Sequence, residues 1–313
     1  MKTVFIGTPE FGAIILEGLV NSIYKPVLVV TSPDKPVGRK QLVTPPPVKV
    51  LAGKNNIKVE QPQKISDIKT ELLDLKPDMI VVSAYGQIIP KEILDIPKYG
   101  CLNIHPSLLP KYRGASPIQA AVLNGDRRTG VTIMLMDEKM DHGKIISQRS
   151  ITMDEKEGAV SLHNKLASLG SNLLLETISN LERGLVKITS QNDEQATFTK
   201  TLTKIEGTIN WKKPADMIER EIRAFEYWPT SFTFWKKLNA LLRIKITKAR
   251  VLKSMKGIDF PIGQTFVVPK EGLGVQCGED FLIIERLQLE GKEEMSSEEF
   301  LRGHPDFIGA ILK

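Results

Sequence analysis

Met1-Lys2-Thr3-Val4-Phe5-Ile6-Gly7-Thr8-Pro9-Glu10-Phe11-Gly12 opens the chain and decides how its first half folds. Thr3 to Gly7 reads as a buried strand, Phe11 to Asn21 as a helix, and Val27-Leu28-Val29-Val30-Thr31 as a second strand, which together make a β-α-β unit. The turn between strand and helix carries only the first and last glycines of a dinucleotide fingerprint, with Pro9 inside it. That spacing disfavours a nicotinamide site and predicts a tight turn with Thr8 as the helix cap.

The alternation continues down the chain. Glu71 to Leu75 fits a helix ahead of Pro77, and Met79-Ile80-Val81-Val82-Ser83 is an apolar run of the kind buried on both faces. Cys101 to Ile104 and Val131 to Met136 read as further strands, with Pro117 to Asn124 as a helix between them. The fold class expected is α/β, with an N-terminal Rossmann-like parallel sheet. Ligands of such sheets lie outside the carboxyl ends of the strands.

Asn103 and His105 stand two apart at one such end, and Asp141 follows downstream in Met140-Asp141-His142-Gly143. Residues two apart on a strand share a face. A donating amide, an imidazole and a carboxylate are the parts needed for acyl transfer without a serine or cysteine nucleophile. Alone, Asn103 reads as a turn cap and His105 as a core histidine; the three together favour a catalytic set.

After a helix from Ser161 to Asn180, the polar run Ser190-Gln191-Asn192-Asp193-Glu194-Gln195 breaks the pattern. The expected division is a catalytic domain over 1–189, a linker over 190–204, and a small C-terminal β-barrel, OB-like, over 205–313. The barrel is predicted from short alternating runs at Ala240 to Ile246, Thr265 to Val268 and Phe281 to Glu285. Its first part is basic: Ile205 to Lys256 holds twelve lysines and arginines against five acidic residues, interleaved with Phe225, Tyr227, Trp228, Phe232, Phe234 and Trp235. Composition alone favours core aromatics and a solvated basic face over a nucleic-acid surface.

The net charge of +6 points to an anionic partner. No apolar run is long enough to span a membrane and no secretion signal is visible, so a cytoplasmic protein is expected. Two cysteines, Cys101 and Cys277, are too few for a disulfide framework or a zinc cluster, and no metal is expected. One further segment stands out. Ser32 to Pro47 is long, basic and proline-bounded, and Lys35, Arg39 and Lys40 within it are candidates for phosphate contacts, with a flexible surface insertion as the alternative.

These motifs resemble the 10-formyltetrahydrofolate-dependent formyltransferases, through Phe5 to Phe11, Pro33 to Arg39, Ala84 to Pro90, Asn103 to Gly114, and Thr129 through Gly143. The Pro33 to Arg39 loop together with the basic C-terminal module selects the members that formylate methionyl initiator tRNA over those acting on ribonucleotides or sugar amines. The resemblance implies that Asn103 and His105 donate to the oxyanion and that Asp141 orients His105 and helps remove the amine proton. It implies that Ser107, Leu108, Leu109 and Pro110 form a tetrahydrofolate-binding segment, with Gly86, Gln87, Ile88, Ile89 and Met136 to Asp141 lining the pterin pocket. Lys35, Arg39 and Lys40 are implied to meet the tRNA acceptor end and the barrel to hold the acceptor arm; a monomer is expected. His142 beside Asp141 and the run Phe225 to Thr230 depart from the family pattern. Three readings compete: the same chemistry on a nucleotide-linked sugar, a folate- or RNA-binding module without turnover, and a nicotinamide oxidoreductase.

Overall fold

The computed structural model describes residues 1–38, 41–254 and 260–313. They form two compact units, the first comprising 1–117, 128–152 and 162–199, the second 118–127, 153–161 and 200–313. Residues 190–199, most of the segment expected as a linker, therefore lie within the first unit.

The chain runs β1 (Thr3–Gly7), α1 (Glu10–Val20), β2 (Leu28–Val30), β3 (Lys35–Val37), β4 (Leu42–Thr44), α2 (Pro47–Lys54), β5 (Lys58–Glu60), α3 (Lys69–Leu75), β6 (Met79–Ser83) and α4 (Lys91–Leu94). It continues with β7 (Cys101–His105), β8 (Arg113–Gly114), α5 (Pro117–Leu123), β9 (Arg128–Leu135), β10 (Lys144–Thr152), α6 (Ala159–Glu182) and β11 (Phe198–Thr199). The main sheet has the order β10-β9-β7-β6-β1-β2-β5. The uncharged runs of β1 and β6 are buried at every residue and pair in parallel at its centre, as expected of strands covered on both faces. The chain winds from β1 outward through β2 to β5 and then returns to β6 on the other side. The switch point between β1 and β6 thus opens at their carboxyl ends.

Gly7 is required there by close packing: a Cβ would sit 2.6 Å from the Ser83 carbonyl oxygen of the neighbouring strand. Thr8 does not cap α1, whose cap residue is Pro9. Its hydroxyl instead lies 2.8 Å from Ser32 Oγ, tying the β1 and β2 ends together.

The sheet is mixed rather than wholly parallel. β9 pairs antiparallel to β7, and β10 antiparallel to β9. The connection from β9 to β10 is long enough for antiparallel neighbours and too short for the crossover that a parallel partner needs. β10 went unforeseen because Lys144, Gln148 and Arg149 interrupt its apolar pattern. The Ser32 to Pro47 segment also has more structure than a loop: β3 and β4 pair as an exposed hairpin. Arg39 and Lys40 lie outside the described residues.

In the second unit, α7 (Ala215–Ala224) accompanies β12 (Phe232–Lys237), β13 (Ala240–Leu252), β14 (Thr265–Val268), β15 (Gly272–Gln276), β16 (Phe281–Leu289), β17 (Glu294–Ser296) and α8 (Ser297–Gly303). The antiparallel sheet runs β12-β13-β16-β15-β14, with β17 on β16. β12 and β14 are its edges, and the last residues bridge them. Phe234 and Lys313 exchange backbone hydrogen bonds of 3.0 Å, Leu312 N donates to Gly263 O at 2.9 Å, and Thr265 N donates to Ala310 O at 2.9 Å. Both edges are thereby covered, which is how a barrel avoids exposed strand edges. Leu312 itself is buried among Trp211, Trp235, Phe300 and Phe307.

The aromatics of the basic segment divide. Phe225, Phe232 and Trp235 are core, whereas Tyr227 and Trp228 are 85% and 50% exposed. Both cysteines are buried and free, and burial pushes each thiol up to about 12. No described helix is long and apolar enough to cross a membrane.

Leu312→Ala is expected to destabilise the second unit by about 2–5 kcal/mol, the usual cost of a buried Leu-to-Ala truncation. Urea unfolding monitored by tryptophan fluorescence checks this, and a change below about 1 kcal/mol would show that the tail does not close the barrel.

Candidate active site

The site grows from the carboxyl end of β7. In the strand register Asn103 lies opposite Val82 and Met134, and His105 opposite Thr132. Asn103 is half-buried, while His105 is buried. Among the described residues no hydrogen bond holds the Asn103 amide, so its two N–H donors remain for a ligand. His105 Nε2 lies 2.9 Å from the Tyr112 carbonyl oxygen. A carbonyl only accepts, so Nε2 carries a proton, and Nδ1 is the nitrogen presented to Asp141 Oδ1 at 3.6 Å.

Asp141 reaches this position from the β9–β10 connection. Its φ of 49° is left-handed, a conformation costing roughly 1–2 kcal/mol outside glycine and more tolerable for aspartate. Gly114 and Gln191 hold it. Its Oδ2 accepts from Gly114 N at 2.8 Å. Its own carbonyl, with that of Gly143, accepts from Gln191 Nε2, each at 2.8 Å. Gly143 cannot be replaced, because a Cβ there would fall 1.9 Å from Leu135 O.

Behind Gln191 stands Arg113, a buried guanidinium. It donates to Gln191 Oε1 through Nε at 3.0 Å and Nη2 at 2.8 Å, and to Asp193 Oδ1 at 2.7 Å. The hydrogen bond from Arg113 holds the Asp193 carboxyl below its ordinary value. His142 is held by two carboxylates: its Nδ1 is 2.6 Å from Asp137 Oδ2 and its Nε2 3.5 Å from Asp193 Oδ2. The departure from the family pattern at His142 therefore fastens the loop that carries Asp141. Arg113, Gln191 and Asp193 do not stand out in the sequence. The signal they offer is a lone arginine between Tyr112 and Gly114, and glutamine and aspartate in a run too polar to be core.

The other expected site residues divide by accessibility. Ser107 is fully buried, its hydroxyl donating to Lys111 O at 2.6 Å. Leu109 is buried, with its N–H donating to Thr132 Oγ1 at 3.0 Å and its carbonyl accepting from Gln148 Nε2 at 2.8 Å. Leu108 and Pro110 are half-buried. This segment is a rigid shelf beside His105, and its buried side chains support it from within.

After β6 the chain turns through Ala84 and Gly86, both with positive φ. Gln87 ties that turn to its neighbour by accepting from Ile65 N at 3.0 Å and donating to Gln63 O at 3.1 Å. Ile89 is buried and Ile88 is 77% exposed. A cavity of about 720 Å³ is lined in part by Cys101, Met136, Asp137, Glu138 and Lys139, with Lys91 and Lys98 also on its walls. That volume suits a small-molecule site. None of Asn103, His105, Asp141, Ser107 to Pro110 or Gly86 to Ile89 lines it.

Lys35 is exposed on the β3–β4 hairpin. Val37, Leu42 and Val43 are also more than half exposed there. The hairpin base is pinned by Asp34, which accepts from Lys49 Nζ and Gln61 Nε2, each at 2.8 Å. Hydrogen bonds from Gln61 and then Lys49 hold its carboxyl below the usual range.

Comparison with known proteins shows the family. Residues 1–178 match the formyl transferase family and residues 201–305 the formyl transferase C-terminal domain. The chain is 43% identical to a methionyl-tRNA formyltransferase from Caldanaerobacter subterraneus subsp. tengcongensis, covering all of both chains. It is 41% identical to one from Acetivibrio thermocellus, covering 100% of this chain and 99% of the other. Among solved structures, the N-formyltransferase from Helicobacter canadensis, complexed with folinic acid and dTDP-3-aminofucose, has a TM-score of 0.66 at 21% identity, covering 94% of this chain and all of that one. At that identity the likeness shows the fold alone. With both family regions matched and relatives above 40% identical from end to end, the chain belongs to the formyl transferase family, among the methionyl-tRNA formyltransferases.

Proposed function

We propose that the chain transfers the formyl group of 10-formyltetrahydrofolate to the α-amino group of methionyl initiator tRNA, in the cytoplasm. The observation that carries the reading is the Asp141–His105 pair beside an unengaged Asn103 amide at the carboxyl end of β7. The amine nitrogen attacks the formyl carbon, a bond forms between them, and the bond from that carbon to folate N10 breaks. The proton lost by the amine is returned to N10. Negative charge develops on the formyl oxygen, where the Asn103 N–H donates. Each donor of this kind typically contributes about 3–4 kcal/mol of transition-state stabilisation.

The resemblance implies His105 as a second donor. Its Nε2–H is already engaged by Tyr112 O, so the ring is better suited to act with Asp141 as the proton-handling pair. The carboxylate facing Nδ1 accepts the amine proton directly or through that ring. Folate is supported as the formyl donor by the family. The β3–β4 hairpin, with Lys35 and apolar side chains left to water, is the element we assign to the acceptor end. The basic stretch Ile205 to Lys256 is assigned to the acceptor arm, which makes binding fall steeply with salt. A nucleotide-linked amino sugar is the alternative acceptor, favoured only by distant fold neighbours.

Asn103→Ala is expected to lower kcat roughly 100- to 1000-fold, the loss typical of one oxyanion donor, and Asp141→Asn by a similar order. Single-turnover transfer from labelled 10-formyltetrahydrofolate measures this, and filter binding should find tRNA affinity unchanged. Normal turnover in either variant would refute the assignment.

Asp34→Ala should raise the KM for tRNA and spare kcat, by loosening the hairpin. The wild-type anchor has a defined pH window. Because the folded carboxyl titrates below its unfolded value, the anchor is fully present above about pH 4 and is lost only as pH falls through the depressed value. The KM for tRNA in the wild type should therefore show no acidic limb from this group at neutral or mildly acidic pH, which steady-state assays across pH test.

A further inference from the structure

We infer that Gln191 is a positioning residue for Asp141, set in orientation by the buried guanidinium of Arg113; this rests on the catalytic role proposed for Asp141. Asp141 sits in an irregular connection and in a left-handed conformation, so neither a helix nor a strand holds it. Among the described residues, what holds its backbone is one side-chain amide. Gln191 Nε2 donates to the carbonyls of both Asp141 and Gly143 at 2.8 Å, straddling the residue between them.

The direction of that amide is not arbitrary. Arg113 has donors only, and it approaches Gln191 with two of them, at 3.0 Å and 2.8 Å. The Gln191 oxygen must therefore face the guanidinium, which leaves the NH2 for the two loop carbonyls. Arg113 is itself fixed by Asp193 at 2.7 Å and by the β8–β11 pairing, in which it lies opposite Phe198. The following residue, Gly114, supplies the N–H that binds the Asp141 carboxylate. One short piece of chain, Arg113-Gly114, therefore fixes Asp141 twice, directly at its carboxylate and through Gln191 at its carbonyl.

Two substitutions separate this role from simple attachment of the 190–199 segment. Gln191→Glu keeps an oxygen for Arg113 and turns the two loop donors into an acceptor. Gln191→Met removes both functions. Outer-shell partners of this kind typically contribute 10- to 100-fold, so both variants should lose roughly 10- to 100-fold in kcat. KM for folate and tRNA should stay within about threefold, as expected when ground-state binding is untouched. In an Asp141→Asn background Gln191→Glu should add little, since the two act as a unit.

Amide hydrogen exchange supplies a readout without substrate: exchange over residues 139–144 should accelerate in Gln191→Glu, with the rest of the chain unchanged. A Gln191→Glu variant matching wild type in kcat would overturn the inference, because retention of the Arg113 contact would then suffice. Unchanged exchange over 139–144 would overturn it as well, whatever acceptor the wild type uses. Failure of the wild type to formylate charged tRNA would instead count against the acceptor assignment, leaving the exchange comparison to decide the role of Gln191.

Discussion

The carboxylate of Asp141 is the constraint around which the first unit is arranged. It must be presented to a buried imidazole from a connection with no regular structure, against the preference of its own backbone. Charge-assisted hydrogen bonds, stronger than neutral ones, make this possible. Gly114 N–H takes the carboxylate, and a buried arginine fixes the glutamine that takes the carbonyl. Burying Arg113 is tolerable because Asp193 and Gln191 satisfy it, whereas an unpaired guanidinium there would be strongly destabilising.

The central sheet supplies the opposing side of the site. β1 and β6 are apolar almost throughout and pair closely enough to demand Gly7, which leaves their carboxyl ends as a rigid rim. β7 extends that rim and places Asn103 and His105 on it at alternate positions. Beside them, Ser107 and Leu109 are locked through Thr132 and Gln148, so the shelf next to His105 has little freedom. Rigidity matters here because a preorganised donor does not have to reorganise as charge develops.

Much of this was legible in the sequence, and the reasons are specific. The apolar runs at Thr3 to Gly7 and Met79 to Ser83 can only be buried strands. The spacing of Asn103 and His105 carries face information, because strand periodicity is two. β10 was missed because its pattern is half polar, and the hairpin at β3–β4 because both its faces are exposed and no alternation marks it. The polar run around Gln191 looked like a linker for the same physical reason: residues that serve a site by hydrogen bonding have the composition of a loop. In the second unit, Phe225 and Trp235 were foreseeable core, whereas closure of the barrel by residues 309–313 depends on long-range pairing that local pattern does not encode.

The most direct measurement is formyl transfer from labelled 10-formyltetrahydrofolate offered to methionyl initiator tRNA, uncharged initiator tRNA and a nucleotide-linked amino sugar side by side. Label is predicted on the charged tRNA alone, in an amide at the methionine nitrogen. Label on the amino sugar with none on the charged tRNA would contradict that prediction, retaining the chemistry at Asn103, His105 and Asp141 while replacing the acceptor.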